Sequence, residues 1–293
     1  MFSLRGFGHM LAKHWLGSAN FFSDYGRYST NSRMGDDTCR AIIEAWRSGG
    51  GSKFDCSYSY NNIPEILPFV SKKDCINIKF PVASFDFKNV KLALDEICSP
   101  IMDAARLVSV MVHDADAVDP QVTLDFLATA QERFEHRDIK FGASVYSVEL
   151  AELLVRAGNC DVIQASVNIL DQRFLTENMH KIFTDHGVEL MARSVFLQGL
   201  LVDLPMAKMH FKQFGKRDIL DLHSWFAEKN VNPSRACLNF VSNHQAVDSV
   251  VLGFASSDQV HDAAKAISEE IKLLQELQEM ASNDSTIIDA REW

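Results

Sequence analysis

The chain has 293 residues, a net charge of −10 and 47% hydrophobic residues, enough for one large barrel or two ordinary domains. The acidic balance, with no long basic run, argues against a nucleic-acid-binding surface. Cys39, Cys56, Cys75, Cys98, Cys160 and Cys237 form no CxxC pair, so neither a zinc site nor a disulfide framework is indicated; with no signal-peptide core at the start and no apolar run near the ~18 residues of a membrane span, the expectation is a cytoplasmic protein with reduced thiols.

The first apolar stretch, residues 15–20 (WLGSAN), reads as a short buried strand, and the polar loop FFSDYGRYSTNSRMG follows it. Acidic residues at the start, apolar residues at helical spacing and glycines at the end predict a helix over DDTCRAIIEAWRSGG. SKFDCSYS is the second strand, followed by at most a short helix in PEILPFVSK. CINIKF is a strand, VKLALDEICSPIMDAA a helix and ARLVSVMVHD a strand. PQVTLDFLATAQERF is a helix with proline in its first turn. IKFGASVYS, CDVIQASVN and VELMARSV are strands, separated by helices in VELAELLVRAG and DQRFLTENMHKIFTDHG that close on Gly158 and Gly187. LQGLLVDLP is irregular, two helices follow near 208–229 and 233–242, and DSVVLGFAS is the last strand. The final helix, 258–281, carries an apolar stripe at Val260, Ala264, Ile267, Ile271, Leu274 and Leu277 that suits packing on a barrel.

Eight strands, each followed by helix or by loop and helix, predict a parallel sheet with helices outside, and this length fits one closed (β/α)₈ TIM barrel over residues 1–293. A doubly wound open sheet is the runner-up, but GSANFFSDYG after the first strand is no GxGxxG phosphate loop. In a barrel the active site lies at the C-terminal strand ends. Asp55, Lys79 and His113 fall there on strands two, three and four, with Tyr60 on the loop leaving strand two. Such a set can transfer a proton: a tyrosine as acid, an ammonium to lower its pKa, a carboxylate to hold the ammonium and a neutral imidazole to orient a carbonyl. Taken singly, each of these residues is more often a cap or a satisfied polar group.

These segments together resemble the aldo-keto reductase family. FDCSYSY is similar to its D-T-A-x-x-Y segment, INIKF to its S-T-K segment and VMVHD to its strand-four histidine. WLGSANF, FGASVYS, DVIQASVNILDQRF, ELMARSVFLQGLL and SVVLGFASSDQV resemble the remaining strands and turns in order, and RSVFLQGLL is most like bacterial members suspected of acting on sugar-like carbonyls. The resemblance implies NADPH-dependent reduction of an aldehyde or ketone, with NADH possible and no metal or flavin. It implies that Tyr60 is the general acid, that Lys79 and Asp55 lower its pKa, and that His113 places the substrate carbonyl. It further implies that Ser144 and Gln164 hold the nicotinamide carboxamide, that Gly17 and Ser18 approach the cofactor, that Ser194, Leu197 and Gly199 line a pyrophosphate loop, and that Ser256 and Gln259 lie near the adenosine phosphate.

The chain departs from the family where Asn61 follows Tyr60, where Val145 follows Ser144, in the shortened stretch from Glu65 to Lys79, and where Gln259 replaces an arginine. The turn GFASSDQVHD has no Lys or Arg, so weak discrimination between NADPH and NADH is expected unless Arg193 supplies a grip from outside it. Two other readings stay open: a regulatory barrel that keeps the cofactor site, and a lyase using Lys79 as a Schiff base. The substrate itself is set by loops, here 21–34, 114–120 and the tail, where Phe21, Phe22, Tyr25 and Trp293 can shape a pocket. The partner implied is a small carbonyl compound, with no nucleic acid and no membrane, and the chain is expected to be a monomer or weak homo-oligomer.

Overall fold

The computed structural model describes residues 11–21, 34–84, 89–211, 217–268 and 274–293. Eight parallel strands close on themselves in sequence order: β1 (His14–Gly17), β2 (Lys53–Ser57), β3 (Cys75–Phe80), β4 (Arg106–Val112), β5 (Lys140–Val145), β6 (Val162–Ser166), β7 (Glu189–Arg193) and β8 (Ser249–Leu252). Pairing of β1 with β8, His14 opposite Val250, completes the ring and excludes the open-sheet alternative. The fold is a (β/α)₈ TIM barrel.

Between and around the strands lie α1 (Asp36–Ser48), α2 (Ile63–Ile66), α3 (Val90–Ala104), α4 (Pro120–Arg133), α5 (Val148–Arg156), α6 (Glu177–His186), α7 (Leu204–His210), α8 (Arg217–Glu228), α9 (Pro233–Ser242), α10 (Ser257–Ser268), α11 (Leu274–Gln278) and α12 (Ser285–Ile288). Local chemistry sets several starts. Asp119 accepts from Gln121 N with Pro120 in the first turn of α4, and Asn232 accepts from Arg235 N with Pro233 likewise placed in α9. The helix expected from Asp171 begins later, at Glu177, because Thr176 caps it through Met179 N and residues 173–175 form a separate 3₁₀ turn. The shortened segment before β3 gives α2 four residues and a 3₁₀ turn at Leu67–Phe69. Of the final long helix, residues 269–273 lie outside the described residues; Val260 and Ala264 of α10 and Leu277 of α11 are buried, as packing on the barrel requires.

Strand alternation sorts the side chains into two sets. Outward residues such as Leu16, Phe54, Ile76, Ile78, Val110 and Val112 join the helices in the main hydrophobic core. Trp15, Met111, Val162 and Met191 form a second, smaller cluster with Val108 and Val251. Two residues further along β1, β4, β6 and β7 stand Gly17, His113, Gln164 and Arg193. The same period of two puts Asp55, Lys79 and Ser144 on this inner set, so the barrel is apolar below and polar toward the strand ends.

Gly142 shows how tightly β5 meets β6. A Cβ there would lie 1.9 Å from Val162 O and 2.7 Å from Val162 Cγ1, so only glycine permits the backbone approach. Gly142→Ala should therefore destabilise the barrel by about 1–3 kcal/mol or more, the usual cost of overpacking. The measurement is the urea midpoint at unchanged m-value; a midpoint equal to wild type would contradict the close approach.

Candidate active site

β2 ends at Ser57, whose hydroxyl accepts from Ser59 N and starts the 3₁₀ turn Tyr58–Tyr60. Asn61 closes that turn at φ 51°, a left-handed conformation that asparagine adopts more readily than most residues. The departure to Asn61 thus keeps the turn. The next residue, Asn62, is fully buried and donates from Nδ2 to Ser18 O and Phe21 O, tying the loop after β1 to the loop carrying Tyr60.

Inside the barrel the Lys79 ammonium donates to Asp55 Oδ2 at 2.7 Å and to Gln164 Oε1 at 2.9 Å. Gln164 Nε2 donates back to Asp55 Oδ1 at 2.9 Å and faces Met191 Sδ at 3.0 Å. Asn77 Nδ2 donates to Asp55 Oδ1 at 2.6 Å, and Ser109 Oγ donates to Asn77 Oδ1 at 2.7 Å. Every member of this network is buried, and every charge in it has a partner.

Above it lie Tyr60 and His113. Lys79 Nζ stands 5.7 Å from the Tyr60 ring centroid. Tyr60 Oη is 3.5 Å from His113 Nε2, with the rings edge to face, and Ser59 Oγ is 3.2 Å from His113 Nδ1. Burial pushes the Tyr60 pKa well up, Asp55 adds to the rise, and Arg193 opposes it. Arg193 therefore joins Lys79, the cation the sequence suggested, near the phenol, while the Lys79 charge is also met by Asp55. Burial likewise pulls His113 down to about 3, helped by the positive charge of Lys79. At neutral pH the pair is a neutral phenol beside a neutral imidazole.

These residues open into a cavity of about 1290 Å³, larger than the roughly 300–1,000 Å³ of common small-molecule sites. Gly17, Asp55, Tyr60, Lys79, His113, Ser144, Gln164, Ser194, Gly199 and Gln259 line it. Three residues suggested for the cofactor are not on its wall. Ser18 is buried and donates to Asp55 O, Leu197 faces the core, and the Ser256 hydroxyl accepts from Gln259 N at the start of α10. Gln164, suggested as a carboxamide holder, spends its amide on Asp55, Lys79 and Met191.

Several wall residues escaped the sequence reading. Tyr146, just past β5, stacks under Arg193 (guanidinium carbon 4.1 Å from the ring centroid) and Arg291 (4.3 Å). Asp116 accepts from Tyr146 N and Ser147 N, joining the loops after β4 and β5. Arg235 on α9 and Lys265 on α10 line the cavity together with Gln259, and α9 and α10 pack on each other through Asn239 Nδ2 and Ala266 O. Arg235 lies in the first turn of α9 and Lys265 in the last turn of α10, and neither placement by itself signals a cavity wall. Conversely, Phe21 is fully buried and Trp293 packs on His210 and Phe211, so neither is on the cavity wall; Phe22 and Tyr25 lie outside the described residues.

The loop after β7 is strained: Ser194, Leu197 and Gln198 have φ of 60°, 47° and 54°, and Gly199 has 94°. Such conformations persist where surrounding structure imposes them, often at ligand sites. Among the described residues no group of three or more His, Cys, Asp or Glu could hold a metal ion, and no helix is long and apolar enough to cross a membrane.

The model of the aldo/keto reductase family matches residues 15–279. The chain belongs to this family. Its fold is shared with the putative aldo-keto reductase PA4992 from Pseudomonas aeruginosa (15% identity, 90% of this chain and 93% of that one, TM-score 0.62). It is also shared with the holo form of aldo-keto reductase AKR11C1 from Bacillus halodurans (15% identity, 96% and 95% covered, TM-score 0.69). A third similar structure is an aldo-keto reductase from a Medee basin deep-sea metagenome library (12% identity, 94% and 94% covered, TM-score 0.63). No curated protein sequence matches the chain.

The depressed His113 pKa gives a direct test. The unfolded chain binds a proton near pH 6.5 and the folded chain only near 3, so this residue favours folding fully above about 6.5 and progressively less as pH falls toward 3. In a ¹⁵N-imidazole NMR titration the His113 signals should stay those of a neutral ring down to about pH 4; a midpoint between 6 and 7 would show that the ring is solvated rather than held neutral.

Proposed function

We propose that this member of the aldo/keto reductase family uses NADPH, with NADH as a weaker substitute, to reduce the carbonyl of a small aldehyde or ketone to an alcohol. The observation that carries this reading is the meeting, at one cavity, of Tyr60 and His113 over the closed Asp55–Lys79–Gln164 network. The cofactor, when bound, supplies the hydride. Tyr60 donates the proton from Oη to the carbonyl oxygen, and its burial keeps it a neutral phenol that retains the proton until a developing alkoxide, a strong base, takes it. His113 orients the same oxygen from Nε2, neutral across the physiological range. Asp55 and Lys79 hold a fixed charge pair beneath the ring, which a water-filled site would have to reorganise at each turnover.

The cavity suits an elongated anionic cofactor. It runs past Gly17, the strained Ser194–Gly199 loop, Gly253 and Ala255, and it includes two cations, Arg235 and Lys265, on packed helices. These two compensate for the lack of a basic residue in the turn after β8 and support a preference for NADPH. Lys79 donates to both Asp55 and Gln164, which disfavours its use as a Schiff-base nucleophile. The complete set of reacting side chains favours an enzyme over a purely regulatory barrel.

Two experiments address these proposals. Tyr60→Phe should lose about 10²–10⁴ in kcat, followed by reduced-nicotinamide absorbance with a panel of aldehydes, while still binding NADPH by fluorescence quenching; wild-type turnover in the variant would remove Tyr60 from the chemistry. Arg235→Ala with Lys265→Ala should weaken NADPH by about tenfold or more, the scale of one lost hydrogen bond to a charged group, and NADH much less. Equal losses for the two cofactors would mean that the extra phosphate is gripped elsewhere.

A further inference from the structure

His113 is neutral at physiological pH, because burial holds its pKa down to about 3. A neutral imidazole carries one N–H, on either Nδ1 or Nε2, and the hydrogen bond made by one nitrogen decides the state of the other. To hold a carbonyl oxygen from Nε2, the ring needs its proton there and a bare Nδ1.

The group facing Nδ1 is Ser59 Oγ, at 3.2 Å. Ser59 Oγ also lies 2.7 Å from Ser57 Oγ, the usual length of a bond between hydroxyls. Ser57 is fully buried, accepts from Ser59 N at 3.2 Å and has one proton to give. That proton has two acceptors within reach, Ser59 Oγ at 2.7 Å and Lys79 O at 3.3 Å.

The row of protons can therefore run in either direction. If Ser57 turns to Lys79 O, Ser59 donates to Ser57 and must accept from Nδ1–H. Nε2 is then bare, and at 3.5 Å from Tyr60 Oη it competes with the substrate for the phenol proton. If Ser57 turns to Ser59, Ser59 donates to Nδ1 and Nε2 carries the ring proton. The contact with Lys79 O is longer than an ordinary O–H···O bond, so little holds the Ser57 proton away from Ser59. The second direction also leaves Tyr60 Oη–H and His113 Nε2–H free to meet one oxygen, since 3.5 Å is too long for a strong bond between them.

We propose that Ser59 is a positioning residue that sets the tautomer of His113: its hydroxyl, supplied by Ser57, donates to Nδ1 and so fixes the single ring proton on Nε2. The inference deepens the carbonyl-reduction reading and rests on it for what the Nε2 proton meets, but not for where that proton sits. Ser59 is exposed, and its bond to Ser57 through the backbone N–H survives substitution, so variants there leave the turn carrying Tyr60 in place.

The test is ¹⁵N NMR of the ring nitrogens in histidine-labelled protein without substrate, with His113 assigned by the signals lost in His113→Asn. Wild type at neutral pH should show a protonated Nε2 and a bare Nδ1. Ser59→Ala should move the ring toward the Nδ1–H form and lower kcat/KM for an aldehyde by about two- to tenfold, the scale of one neutral hydrogen bond. Ser59→Thr, which keeps the hydroxyl, should restore both; a merely structural role for Ser59 would leave the tautomer unmoved. A wild-type ring protonated on Nδ1 overturns the proposal. So does an Nε2–H ring that persists in Ser59→Ala, which would mean that solvent sets the tautomer. The tautomer is read without turnover, so the two readings fail separately. Control of the ring by Ser59 with no aldehyde reduced supports the proposal, and it is then the reduction reading that fails.

Discussion

The ion pair between Asp55 and Lys79 is the constraint around which the inner barrel is arranged. Both side chains are almost completely buried, 4% and 3% exposed, and stand 2.7 Å apart. Burying two charges is costly unless the remaining hydrogen-bonding positions are filled, and removing one partner of such a pair generally costs about 3–5 kcal/mol. The barrel fills them with Asn77 and Gln164, and Ser109 in turn holds Asn77. Four strands, β2, β3, β4 and β6, are thereby committed to one polar layer. Gln164 acts here as a structural bridge between the carboxylate and the ammonium, fixing the ammonium beneath the Tyr60 ring.

That layer separates two environments. Below it, Trp15, Met111, Val162 and Met191 form an apolar plug typical of a packed barrel interior. Above it, the chain supplies titratable groups whose pKa values move apart from the physiological range rather than toward it. Tyr60 rises and His113 falls, both mainly because they are out of water. The result is a neutral donor beside a neutral imidazole, set over the paired layer. The mouth is stitched from loops rather than strands: Asn62 binds the first two, Asp116 binds the loops after β4 and β5, and Arg291 brings the C-terminal tail against Asp116 and Tyr146.

By itself the sequence determined the barrel and the polar set at its strand ends. Alternating apolar strands and amphipathic helices are local signals, repeated eight times, and a period of two dictates that Asp55, Lys79, His113, Gln164 and Arg193 share the inner face once the strands are parallel neighbours. Capping chemistry at Asp119, Thr176 and Asn232 was also written locally, although the displaced start of α6 shows how a 3₁₀ turn can take residues from a helical pattern.

Tertiary structure alone decided which partner each charge takes. Nothing in the spacing of Lys79 and Gln164, 85 residues apart, says that they bond, and so the assignment of Lys79 to Asp55 and of Arg193 to the neighbourhood of Tyr60 came only from closure of the ring. Arg235, Lys265, Tyr146 and Arg291 reach the cavity wall from distant elements, α9, α10, the end of β5 and the tail, while Phe21 and Trp293 turn into packing. Periodicity reports the face a residue occupies along its own element, whereas an electrostatic partner across a barrel depends on strand register, loop path and burial, which are set by the whole chain at once.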